Sequence, residues 1–263
     1  MSGEVQKEET PVPVTATLDG RGNSGVNVAI YPLFAREASA GYEGSHEALL
    51  RSVSTRRFQP YVADGASTSV GIARYALNIA LSEALYPAIH CLEIAIRNSI
   101  HNELYLTTGR ADWYDAIQAL SQNQFRLVEA AKSTVREKFM KSRRRLQEID
   151  PDDIIAELPL GFWTAFFNNK ADSRLASRLL RPVFRHAPRR AVQLQHIRGR
   201  VERFRTLRNR VFHHERIVHW SDLADQHTRI MEMLDWISPE LSMICKRHDR
   251  FAEVHHTGIK PWL

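Results

Sequence analysis

From about residue 43 onward, apolar residues return every three or four positions, and the chain reads as helix almost throughout. The stretch "SHEALLRSVSTRRF" predicts a short helix opened by Ser45, followed by the turn-rich connection "QPYVADGAS". "STSVGIARYALNIALSEALYPAIHCLEIAIRNSIHNELYL" predicts two helices with a break near Tyr86, because Pro87 has no N–H with which to continue one helix but fits the first turn of the next. "SQNQFRLVEAAKSTVREKFMKSRRRL" predicts a long polar helix with a basic end. In "DPDDIIAELPLGFWTAFFN", Pro159 and Gly161 bend an apolar patch made of Phe162, Trp163, Phe166 and Phe167. A helix from Pro188 through "FHH" and a last one over "SDLADQHTRIMEMLDWISPELSMI" complete the set. With no internal repeat and no run of strands, the pattern predicts an all-α fold, a helical bundle.

Residues 1–42 read differently. They are rich in Gly, Pro, Ser, Thr and Glu, with only the short alternating runs "VPVTATL" and "VNVAIY". That composition predicts a flexible tail before a single helical domain over 43–263. The tail holds "GRGNSG", which has the Gly-x-Gly-x-x-Gly spacing, but a strand-like run follows it where a pyrophosphate site needs a helix N-terminus. It reads as a loop.

The seams of three helices carry polar groups. On the helix predicted from Pro188, Leu194, Ile197, Val201 and Phe204 step by three, four and three, and the series continues to Arg208 and Val211. A guanidinium on an apolar stripe needs a partner or a ligand anion, since an unpaired buried charge is costly. The last helix keeps the rhythm Leu223, His227, Ile230, Leu234, Ile237, Leu241, with one histidine on its stripe. After Pro87, Glu93, Arg97 and His101 fall four apart beside the apolar face of Leu92, Ile96 and Ile100, with Asn98 next to Arg97.

Composition narrows the classes. The 263 residues are 43% hydrophobic and 25% charged, ordinary for a globular chain. Lys and Arg outnumber Asp and Glu by 36 to 30, for a net charge of +6, which permits an anionic partner without selecting one. Two cysteines far apart, Cys91 and Cys245, argue against a disulfide scaffold or a zinc knuckle. The start "MSGEVQKEETPVPV" lacks the apolar core of a signal peptide, and no stretch of 18 residues reads as apolar enough to cross a bilayer. The expectation is a cytoplasmic protein with no membrane partner.

The densest chemistry lies in "RTLRNRVFHHERIVHW", residues 205–220. Asn209 and His213 are four apart and share a helical face, whereas Arg208 and His213 lie about 140° apart on a straight helix. They converge only where the helix ends near His213 or where a second copy meets the first across a two-fold axis. Other readings stay open. Cations at a helix C-terminus complement its dipole, and Arg208 could pair with Glu93 or Glu202 to lock two helices. His213, His214, Glu215 and His219 offer metal ligands, but adjacent histidines rarely both reach one ion. The Glu93–Arg97–His101 stripe could simply stabilise its helix. The runs "KFMKSRRRL" and "RLLRPVFRHAPRR" are basic surfaces, the second a candidate phosphate track.

The segment resembles the Arg-Asn-x-x-x-His signature of HEPN-domain ribonucleases, and specifically their Abi-like (abortive infection) branch. Three blocks carry the resemblance: Leu85 through Leu104, Leu158 through Phe167, and Leu207 through Ile217, within roughly residues 43–245. It implies a HEPN-type helical bundle with additional helices, dimerising so that two motifs face one cleft, and an RNA substrate cut without any metal or other cofactor. It implies His213 as the acid/base residue, Arg208 as the anion clamp and Asn209 as a positioner, with His214 and Glu215 orienting His213. Glu93, Arg97, Asn98 and His101 would contact RNA or hold Arg208. A neighbouring antitoxin, protein or RNA, checks related toxins. The alternatives are an RNA-binding protein of the same fold that does not cut, and a helical interaction module whose polar seam sets dimer specificity.

Overall fold

The computed structural model describes residues 46–142, 149–168 and 172–263. The tail, its "GRGNSG" loop, Ser45 and the basic residues Arg143–Arg145 lie outside them. Every regular element among the described residues is helical, as the periodicity predicts.

A short helix, α1 (His46–Val53), and one further turn, α2 (Thr55–Phe58), lead into α3, which runs without a break from Thr68 to Thr108. The break expected at Pro87 is absent. A proline inside a helix costs about 3 kcal/mol. Around it, Leu85, Ile89, Leu92 and Ile96 are each fully buried, and burying one such side chain contributes about 1.5–3 kcal/mol. Packing on both sides of Pro87 therefore outweighs its local cost. Read as two helices, the segment hid its length. As one, it is long and apolar enough to cross a membrane by length and composition, with a mean hydropathy of 1.4 over its most apolar stretch, 56% of which is buried within the molecule. The sequence expectation that no stretch qualifies is corrected on that point.

After α3 come α4 (Trp113–Ala116), α5 (Gln122–Lys141), α6 (Pro151–Glu157) and α7 (Leu160–Thr164). Ser121 and Gln124 form a reciprocal capping box that starts α5, and Asp150 and Asp153 do the same for α6. The apolar patch after Pro159 is core: Phe162, Trp163 and Phe166 pack with Trp113 largely edge to face. Next are α8 (Ser173–Val183), α9 (Leu194–Phe212), α10 (Leu223–Ile237), α11 (Pro239–His248) and α12 (Phe251–Thr257).

Two boundaries move. Pro188 leads only a 3₁₀ turn, Arg189–Ala191, and the helix proper starts at Leu194. Pro239 opens α11, capped by Ser238, so Leu241 belongs to a different helix from Leu223–Ile237. The core centres on α3, which packs against α7, α8, α10, α11 and α12. His227, the histidine on the α10 stripe, is buried with its Nε2 3.0 Å from Asp249 and its ring stacked on Phe251. It ties α10 to α12.

Candidate functional site

Helix α9 ends where the chemistry begins. Phe212 is its last residue, and the backbone then forms a Schellman closure. The His214 N–H donates to the Val211 carbonyl at 3.1 Å and the Glu215 N–H reaches back to the Arg210 carbonyl at 2.8 Å. That closure needs a left-handed residue, and the position falls to His214, with φ at 56°. A side chain there costs about 1 kcal/mol, and histidine is among the residues that adopt this conformation more often than most. His213 itself caps the helix, its N–H donating to the Asn209 carbonyl at 2.8 Å. Its ring is exposed, as are those of His214 and the Asn209 side chain. Among the described residues, no hydrogen bond or ion pair holds the His213 or His214 ring.

The loop after the helix is fastened from the opposite side by Asn78 of α3, which is 5% exposed. Its Oδ1 accepts from the Ile217 N–H at 2.7 Å and the Val218 N–H at 3.1 Å, while its Nδ2 donates to the Glu215 carbonyl at 3.3 Å. One side chain thus satisfies three backbone groups that have no helix to serve them. Asn78→Leu keeps the number and branching of side-chain heavy atoms and removes all three bonds. It is expected to cost about 2–4 kcal/mol, since each buried unsatisfied group costs about 1–3 kcal/mol. Thermal melting followed by circular dichroism tests this, and a midpoint within about 2 °C of wild type would show that Asn78 is dispensable to the loop.

Arg208 lies one turn inside the helix end. Its Nε donates to Glu93 Oε2 at 3.0 Å and its Nη2 to Glu93 Oε1 at 3.2 Å, a two-pronged pair between α9 and α3. Of the two acceptors open to it from sequence, Glu93 is the one used. Both side chains remain about a quarter exposed, at 25% and 28%. The guanidinium carbon also sits 4.3 Å above the Phe212 ring. Arg208 therefore leaves the buried stripe without being buried: a carboxylate faces one side of it, an aromatic ring another, and water the rest.

The remaining predicted residues divide. Arg97 is half-buried one turn beyond Glu93, and its Nε donates to Asn98 Oδ1 at 3.3 Å. His101 turns away from Arg208: its Nδ1 accepts from the buried Trp113 indole N–H at 3.0 Å, and its Nε2 lies 3.8 Å from Asp152. Burial lowers its pKa, opposed by Asp152 and aided by Arg97. Glu215 pairs with Arg210 at 3.3 Å. His219 lines a pocket with Tyr61, Arg74 and Arg216, and burial together with Arg216 and Arg210 lowers its pKa. Among the described residues no group of three or more His, Cys, Asp or Glu side chains is placed to hold a metal ion.

The sequence reading does not single out Asn78 as a site residue, nor Phe212, which lies against Arg208, nor Tyr86, which lies against Phe212. Tyr86 and Phe212 are exposed at 50% and 41%, with ring centroids 6.1 Å apart. Of the basic runs, Lys138 is paired with Glu157, whereas Arg185, Arg189 and Arg190, leading into α9, are exposed.

Comparison with curated proteins and with solved structures gives no match. A family model described as Abi-like protein matches residues 41–219. The match spans all three blocks, from α3 through the α9 end and the loop fastened by Asn78, and stops before α10. It covers about two thirds of the chain, and the chain belongs to the Abi-like protein family.

Proposed function

We propose that the protein is a metal-independent endoribonuclease of the HEPN type, acting in abortive infection as a phage-defence or toxin–antitoxin toxin. The observation that carries this reading is the end of α9: a guanidinium held at the surface by Glu93, and one turn on, the unengaged His213 ring at the helix terminus. RNA supplies its own nucleophile, the 2′-OH, so the protein needs to move protons and stabilise charge. In a two-fold dimer, two copies of His213 flank one phosphate. One imidazole takes the 2′-OH proton as the 2′-oxygen attacks phosphorus. The P–O5′ bond breaks, and the other, protonated imidazole gives its proton to the 5′-oxygen. Arg208 steadies the charge gathering on the non-bridging oxygens, and Asn209 and His214 border the same helix end. The products are a 2′,3′-cyclic phosphate and a 5′-hydroxyl.

A second reading has its own observation. Because Arg208 is already matched by Glu93, the pair could serve only to lock α9 to α3 in a helical interaction module. One experiment separates the two. Purified protein is incubated with total RNA in excess chelator, and RNA ends are mapped. Cleavage with cyclic-phosphate ends that persists in chelator supports the ribonuclease. RNA bound in a salt-sensitive way but left intact supports an RNA-binding protein of the same fold. Neither binding nor cleavage leaves the interaction module.

A further inference from the structure

The α3 face opposite the core carries an arrangement that neither folding nor the proposed proton transfers use. Positions 79, 83, 86, 90 and 93 step by four and three along one line, and the first four are solvent-exposed: Ile79, Glu83, Tyr86 and His90. Helix α9 runs antiparallel beside this line, since Glu93 meets Arg208 while Tyr86, two turns earlier, meets Phe212 four residues later. The Tyr86 and His90 rings are stacked, with centroids 5.7 Å apart and planes 22° apart, and Tyr86 and Phe212 meet at 34°. The other face of the surface is closed by the Arg208 guanidinium over Phe212. The result is a continuous ledge of three rings and a guanidinium from two helices.

We propose that Tyr86, His90 and Phe212 form a stacking platform that holds an unpaired nucleobase of the RNA beside the phosphate gripped by Arg208. This rests on the ribonuclease reading and names positioning residues for it. Single-stranded RNA is recognised by stacking its bases on aromatic rings and arginine planes, and every base has a π-face for that purpose. Spacing fits the role: four residues, about 6 Å of helix rise, separate Arg208 from Phe212, so base and phosphate sites are neighbours. Chemistry fits it as well. The ledge mixes rings with an imidazole, a phenol hydroxyl and an ion pair. The polar groups can hydrogen-bond a base edge while the rings stack on its face. Arg97 lies one turn beyond Glu93 and Arg205 one turn before Arg208. Because the helices are antiparallel, both cations lie at the same end, past the Arg208 clamp from the rings, where the phosphates of a strand leaving the platform would run.

The test uses the full chain and a fluorescein-labelled, 2′-O-methyl single-stranded RNA 12-mer, which cannot be cut. Tyr86→Ala and Phe212→Ala are each expected to weaken binding about tenfold or more by anisotropy, and Phe212→Tyr to restore it. The slope of affinity against salt stays unchanged, because no phosphate contact is lost. Tyr86→Ala leaves every Arg208 contact in place, so its effect reports the ledge and not the clamp. On cleavable RNA the platform variants raise KM more than they lower kcat. Wild-type affinity in both alanine variants, with cleavage still abolished by His213→Ala, overturns the platform and spares the ribonuclease. If sedimentation shows the alanine variants turning a dimer into a monomer, the ledge is an interface between copies and the platform is overturned. If wild type neither binds nor cuts RNA, the ribonuclease reading falls and takes the platform with it.

Discussion

His213→Ala is expected to lower RNA cleavage by about 10²–10⁴-fold, the usual contribution of a positioned general acid or base, and to leave the fold as it is. The two halves of that expectation come from different features. The structural work of residue 213 is done by its backbone N–H, which caps α9 through the Asn209 carbonyl and is retained by alanine. The ring is exposed and makes no hydrogen bond among the described residues, so the stability change stays within about 0.5 kcal/mol. A large loss of cleavage at constant melting temperature therefore isolates a chemical role. His214→Ala is the natural companion, since His214 is the next ring along and is also unengaged. It keeps the left-handed turn at similar cost and is expected to reduce cleavage far less. In cells, wild type is expected to arrest growth and leave cyclic-phosphate RNA ends, and His213→Ala to do neither. If His213→Ala cuts RNA as wild type does while His214→Ala is dead, the proton-transfer role belongs one residue on. If both cut normally, the helix end is not the site.

How far the sequence carries these conclusions differs from element to element. The all-α class is legible because the 3.6-residue period is repeated in every long segment and nothing in 43–263 alternates. The end of α9 is legible for a similar reason: Arg208 breaks an apolar stripe, and the β-branched and imidazole-rich run after Phe212 propagates a helix poorly. Pro87 misleads because its cost is local and readable, whereas the burial of Leu85, Ile89, Leu92 and Ile96 that overrides it depends on α3 being packed by helices as far along the chain as α12. Asn78 is invisible for the same reason. In sequence it is one polar residue in an apolar run, and its three partners lie 137–140 residues on. Tyr86 and Phe212 look like core residues by type, and only the antiparallel pairing of α3 with α9 exposes them side by side. His101 shows the converse. Its spacing from Glu93 and Arg97 puts it on their stripe, but a buried indole N–H in need of an acceptor claims it.

Arg208→Ala is expected to reduce cleavage by about 10²–10³-fold, the usual loss on removing one preorganised donor to a developing anion. Arg208→Lys should recover little, because an ammonium keeps the charge but not the planar fork. The more telling variant is at Glu93. The pair is a quarter exposed on each side, so water can re-solvate the guanidinium when its partner is removed. Glu93→Ala is expected to cost about 1–3 kcal/mol and to leave the bundle folded, which a melting curve checks. What it removes is the two-pronged hold that fixes the guanidinium plane. Without it the side chain samples several rotamers and presents its fork to the phosphate only part of the time. A loss of about tenfold is the expectation, arising from orientation, to which catalysis is steeply sensitive. If Glu93 acts only through Arg208, the double variant is no worse than Arg208→Ala alone, and the cycle shows strong coupling. Additive losses would mean that Glu93 touches the substrate on its own account. A gain in cleavage on Glu93→Ala would mean that the carboxylate competes with the phosphate for Arg208, and the positioning role would be wrong. The geometry favours orientation over competition: Glu93 takes Nε and Nη2, which leaves the Nη1 edge of the guanidinium for a phosphate oxygen.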